Sequence, residues 1–168
     1  MPVYPLTLGP LVMSGNYPHM AKHDAQLWER FIERWSSTFT GVAYDVALGG
    51  VIFEDPAADP ALLQGWRYST AVKVDAVLVG EGFAWTVEVR PGARLGSLGN
   101  ALGYAVLFEL DGALDLPITP TVVTDECSRD VEIVAEALGV ALFQLGREAP
   151  PALPPPAVRR GLPHVAEP

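Results

Sequence analysis

Val72–Arg90 reads VKVDAVLVGEGFAWTVEVR, and the rest of the chain is organised around it. Two apolar-rich runs flank Glu81-Gly82, and a glycine at the second turn position suits the positive φ of a tight hairpin turn. A two-residue turn sets Gly80 opposite Phe83. The same count places Asp75 opposite Glu88 and Lys73 opposite Arg90. Side chains alternate faces along a strand. One face therefore carries Val72, Val74, Ala76, Leu78, Trp85, Val87 and Val89. The other carries Lys73, Asp75, Thr86, Glu88 and Arg90. Like charges directly opposite one another are unfavourable on a sheet. The Asp75–Glu88 and Lys73–Arg90 pairs are thus local conflicts of the kind that mark sites with a function. Two converging carboxylates are a usual way to hold a hard divalent cation. A solvated hairpin face is the plainer alternative.

Outward from the hairpin, the chain reads as one domain of 168 residues with arms at both ends. Residues 1–18 are rich in Pro and Gly and read as an extended arm. A helix is predicted over His19–Trp35, with Leu27, Trp28, Phe31, Ile32 and Trp35 on its buried face and Glu29 and Glu33 on the other. His19 and His23 share a helical face but have no third ligand, and read as surface residues. GVAYDVAL, Gly41–Leu48, alternates as a strand. Gly49–Ser69 reads as a long connection with a short helical turn at Ala61–Leu63.

Beyond Pro91 a helix is predicted over Leu95–Leu110. Gly92, Gly96, Gly99 and Gly103 fall on one of its faces, and each interior glycine costs about 1 kcal/mol against Ala. Close packing of that face on a neighbour is the expected compensation. Asn100 and Tyr104 lie one turn apart on an adjoining face. Ile118–Thr124 is a strand in which Pro120 predicts an edge position. Arg129–Leu138 is a helix behind Ser128, stopped by Gly139, and Val140–Leu145 is a last strand. Residues 19–146 make the domain. Residues 147–168 form a Pro-rich tail that cannot build a core.

Composition narrows the function classes. The formal net charge is −9 and the chain holds two lysines, a poor footprint for sequence-independent nucleic-acid binding. The single cysteine, Cys127, excludes an internal disulfide and a cysteine-based zinc cluster. No apolar run is long enough to span a bilayer, and MPVYPLTLGP lacks the pattern of a secretory signal.

The predicted order is helix, strand, strand, strand, helix, strand, helix, strand. With Asp75 and Glu88-Val89-Arg90, it resembles the PD-(D/E)XK nuclease superfamily over about residues 24–145. The resemblance implies an α/β fold with a mixed central sheet flanked by helices: the restriction-endonuclease-like αβββαβ core. It implies Asp75 as the Asp of the second strand, and Glu88 with Arg90 as the Glu-x-Lys of the third, with arginine in place of lysine. Glu29 or Glu33 would serve as the family's first-helix acid. Asn100 with Tyr104 resembles the Gln-x-x-x-Tyr that some branches carry. The chain is also similar to small phage-encoded proteins.

Two functions follow from the resemblance. One is an Mg²⁺-dependent DNA endonuclease with Asp75 and Glu88 as metal ligands and Lys73 or Arg90 replacing the motif lysine. The other, which the missing lysine and acidic composition favour, is a degenerate nuclease fold used as a structural or assembly component, as in a phage particle. Its partners would be other protein subunits, held through the N-terminal arm and the Pro-rich tail. The expected location is the cytoplasm or a virion, with no membrane contact.

Overall fold

The computed structural model describes residues 3–55 and 57–146. The elements run α1 (Lys22–Trp35), β1 (Gly41–Leu48), α2 (Pro60–Thr70), β2 (Val72–Gly80), β3 (Phe83–Val89), β4 (Gly92–Ala93), α3 (Leu95–Asp111), β5 (Ile118–Thr124), β6 (Glu126–Cys127), α4 (Arg129–Leu138) and β7 (Ala141–Gln144). Five strands form a mixed sheet in the order β1-β2-β3-β5-β7. β2 runs antiparallel to both β1 and β3, and β3, β5 and β7 are parallel. Helices cover both faces, so the α/β architecture with a central mixed sheet is as the sequence leads one to expect.

The hairpin register is the one the turn predicts. Gly80 pairs with Phe83, Leu78 with Trp85 and Ala76 with Val87, and Gly82 takes φ +78°. On one face, Trp28, Phe31 and Trp35 of α1 pack with Trp85 and Phe143. Trp28 stacks on Phe31 at 5.0 Å, and Phe143 meets Phe31 edge-on at 5.4 Å. On the other face, Tyr104, Ala105 and Phe108 of α3 pack on Val77, Val79, Ala84 and Ile118. Val131 and Ala135 of α4 join Leu98, Ala101 and Val122 beside them.

Strict alternation fails at one place. Ala76 and Leu78 lie in the α1-side core, but Val74 packs with Val77 and Val79 on the α3 side. On β1, Tyr44 likewise faces α1 while Val46 faces α3. The crossover falls at Asp45, whose φ is +50°, between the ladder pairs Tyr44–Ala76 and Val46–Val74. A non-glycine residue with left-handed backbone reverses the pleat there.

Four further expectations are corrected. The helix predicted from His19 starts at Lys22, because His19 has φ +58° and Ala21 is extended. The connection after β1 holds a full helix, α2, in place of a short turn. Asp59 caps it by accepting the Ala61 N–H at 2.9 Å, with Pro60 in the first turn. Third, β5 is an interior strand and not an edge. Ala84 N–H donates to Pro117 C=O and Arg90 N–H to Val123 C=O, so the odd-numbered backbone groups of β5 face β3. Pro120 therefore turns toward β7, which begins only opposite Thr121, and its missing N–H breaks no ladder bond. Fourth, the glycine face of α3 does not press on anything: a Cβ at Gly96, Gly99 or Gly103 would meet nothing within 4 Å.

The N-terminal segment is extended, as expected, but it belongs to the domain. Val3, Leu11 and Tyr17 are buried, and Gly9 exchanges two backbone hydrogen bonds with Val42 of β1. The tail predicted at 147–168 lies outside the described residues.

The open glycine face yields a test. Gly99→Ala should stabilise the chain by about 0.5–1 kcal/mol, read as a higher melting temperature. A lower melting temperature would show that this face is packed after all.

Candidate functional site

The β2–β3 ladder ends at Ala76–Val87, and Asp75 and Glu88 occupy the next positions in register. The strands part here because Asp75 turns its side chain onto the opposite backbone: its Oδ2 accepts the Val89 N–H at 2.8 Å. Glu88 points under α3 and is 1% exposed. Its Oε1 accepts from Arg90 Nε at 2.9 Å and from Asn100 Nδ2 at 3.2 Å. Its Oε2 accepts from the Tyr104 hydroxyl at 3.0 Å. Asn100 and Tyr104 reach the same carboxylate because residues four apart share a helix face. Arg90 is anchored by its backbone N–H on Val123, and its side chain, 51% exposed, folds back over Glu88.

The electrostatics follow from burial. Desolvation raises the Asp75 carboxyl to about 6. The Glu88 charge adds to the rise, while the Val89 N–H and the Arg90 charge oppose it. The hydrogen bond and charge of Glu88 raise Arg90, so the guanidinium stays protonated. Tyr104 is pushed up, first by burial and then by the Glu88 charge, and remains a donor.

Of the residues singled out from the sequence, Asp75, Glu88, Arg90, Asn100 and Tyr104 come together. Lys73 and Glu29 do not. The Lys73 ammonium donates to the Tyr68 carbonyl and sits 3.4 Å above the Tyr68 ring centroid. The charge acting on it is that of Asp45, the residue at which the pleat reverses. This corrects the hairpin count, which placed Lys73 beside Arg90. Glu29 holds the N-terminal segment instead, accepting the Gly15 N–H at 3.1 Å. Glu33 lines a shallow groove with Met13, Gln26 and Arg30.

The acidic residue of α1 that acts on the site is Asp24. Its charge raises both Asp75 and Arg90. The signal was in the sequence: Asp24, Trp28, Phe31 and Trp35 recur at helical spacing on the buried face, one turn above the aromatic run.

The donor set does not complete a divalent-cation site. Both Glu88 oxygens are already engaged, one of them by a guanidinium. Among the described residues, no three His, Cys, Asp or Glu side chains are grouped to hold a metal. The arrangement is instead a buried carboxylate closed by one cation and two neutral donors, with a second, proton-accepting carboxylate beside it.

No protein-family model matches the chain, and no curated protein does. Two solved structures are similar to it in shape. One is a protein of unknown function, AF1548, at 16% identity and a TM-score of 0.39, with 69% of this chain and 55% of that one covered. The other is protein VC1899 from Vibrio cholerae, at 16% identity and a TM-score of 0.41, with 72% and 30% covered. The chain thus spans about half the length of the first and under a third of the second.

The Asp75 carboxyl sets a pH dependence. Its folded value of about 6 lies above the ordinary 3.8, so the folded state holds a proton that the unfolded state releases. Stability is then lost as pH rises from about 4 to about 6, and the loss is complete above that window. Asp75→Asn keeps an acceptor for Val89 without the charge. It should melt higher than the wild type at pH 8, with the difference fading by pH 4. A difference that does not change with pH would refute the assignment.

Proposed function

We propose that this domain is a degenerate member of the PD-(D/E)XK nuclease-like fold, acting as a structural or assembly component of a larger protein complex such as a phage particle. The observation that carries the reading is the 2.9 Å contact between Arg90 and the buried Glu88. In the related nucleases a metal ion would offset the paired carboxylates. Here the guanidinium does so, and its planar fork is no equivalent of a lysine ammonium. The charge of −9 with only two lysines supports a protein partner over a nucleic-acid phosphate backbone.

The second reading, an Mg²⁺-dependent DNA endonuclease, keeps one observation in its favour. Asp75 and Glu88 are both retained where the hairpin strands part, with Asn100 and Tyr104 on Glu88. Under that reading Arg90 would take the place of the motif lysine, since Lys73 is held by Tyr68.

Two measurements separate these readings. For the wild type, Mg²⁺ and Mn²⁺ should leave the melting temperature unchanged, because a cation that bound the folded state would raise it by mass action. Purified protein should leave DNA intact. Cation-dependent cleavage that disappears in Asp75→Ala would overturn the structural reading in favour of the nuclease.

Arg90→Ala removes a hydrogen bond to a charged, buried partner and should cost about 1–3 kcal/mol, measured by denaturant unfolding. An unchanged midpoint would mean that Arg90 does not hold Glu88.

A further inference from the structure

On the α2 side of the sheet, Phe53, Leu62 and Trp66 stand 61%, 68% and 55% exposed around a groove of about 670 Å³. Three large apolar side chains clustered on a surface mark a place where something docks. Ala58, Ala61 and Gly65 line it beside these side chains and leave room between them. Asp55 lines it, and the chain through Asp55, residues 51–59, makes an acidic rim with Glu54, Asp55 and Asp59 and no Lys or Arg. Grooves of this make-up take polyproline segments, which arrive already extended and lose little entropy on binding.

The chain carries a matching segment. Residues 149–160 read APPALPPPAVRR, with five prolines, Leu153 and two arginines, and no acidic residue. They lie outside the described residues, but the sheet fixes where they start. The parallel strands β3, β5 and β7 all end at one end of the sheet. Because β1, β2 and β3 are antiparallel in turn, β1 ends and β2 begins at that same end. The chain after β7 therefore leaves from the end of the sheet where the β1–β2 connection, with α2, is attached. Arg67 Nε of α2 donates to Gly49 C=O at 3.0 Å, and Lys73 of β2 holds Tyr68, which keeps α2 there. The two exits are separated by four strand spacings, roughly 19 Å. A polyproline segment rises about 3.1 Å per residue, so about six residues cross that gap. Residues 147–152 would span it, leaving Leu153–Pro156 at the groove and Arg159 and Arg160 beside the acidic rim.

We propose that the groove of Phe53, Leu62 and Trp66 is the docking site of this chain's own Pro-rich C-terminal segment, Ala149–Arg160.

The test uses the full chain and its tryptophan fluorescence. Trp28, Trp35 and Trp85 are buried, so Trp66 is the tryptophan that a collisional quencher such as acrylamide can reach. Trp66→Phe supplies the baseline from the other three. In the wild type, Trp66 should be shielded at every protein concentration. Arg159→Glu with Arg160→Glu should raise its quenching several-fold, as should Leu153→Asp, and high salt should weaken the shielding in the wild type. These variants leave every described core residue unchanged, so they test docking with the core sequence intact. A Trp66 that is fully open in the wild type would overturn the proposal. So would shielding that ignores the tail variants, which means another occupant. Shielding that appears only as concentration rises would assign the groove to the tail of a second copy and overturn docking within one chain.

Discussion

A carboxylate removed from water must recover its lost solvation from donors fixed in the protein, and Glu88 recovers it from three. Arg90 comes from the end of its own strand, and Asn100 and Tyr104 come from α3. The requirement sets the position of α3 on the sheet. The helix must bring residues 100 and 104 over Glu88 at the end of β3, so Ala105 and Phe108 fall onto Val77, Val79 and Ala84 beneath them. It also holds Arg90 half out of solvent beside Asp75. With the guanidinium in place the pair of acids carries about one uncompensated charge, and burial pushes the proton toward Asp75. The polar centre and the α3-side core are in this sense one construction.

The hairpin was legible because its information is local. A two-residue turn with glycine at its second position fixes the register, and the register alone brings position 75 opposite 88. Asn100 and Tyr104 were legible for the same reason, through helical spacing. What failed were inferences that needed the third dimension. The side of the sheet to which Lys73 points depends on a single left-handed residue, Asp45, on the neighbouring strand, and an aspartate gives little notice of a positive φ. Pro120 marks an edge only over the length of strand it faces, and β7 is too short to reach it. Glu29 and Glu33 read as the candidate acids of α1, although Asp24 alone among its acids shares the aromatic face.

The glycines of α3 show the limit of reading cost as purpose. Their spacing predicts a crowded interface, yet nothing approaches them. The helix tolerates them because its stability comes from the opposite side, where Leu98, Ala101, Tyr104, Ala105 and Phe108 are buried. By contrast, at Gly50 a side chain would be impossible: φ is +80°, and a Cβ would lie 2.3 Å from the Arg67 carbonyl oxygen. That glycine lets the chain leave β1 directly beneath α2.

The pleat reversal at Asp45 and the backbone pairing of Gly9 with Val42 fall on the same outer strand. An open sheet offers its border strands to any passing chain with unpaired amides, and such addition is the usual start of aggregation. Here β1 is interrupted in its middle and occupied near its beginning, so it presents no long flat row of free backbone groups. The opposite border, β7, is only four residues long. Both margins are thus poor templates for strand addition.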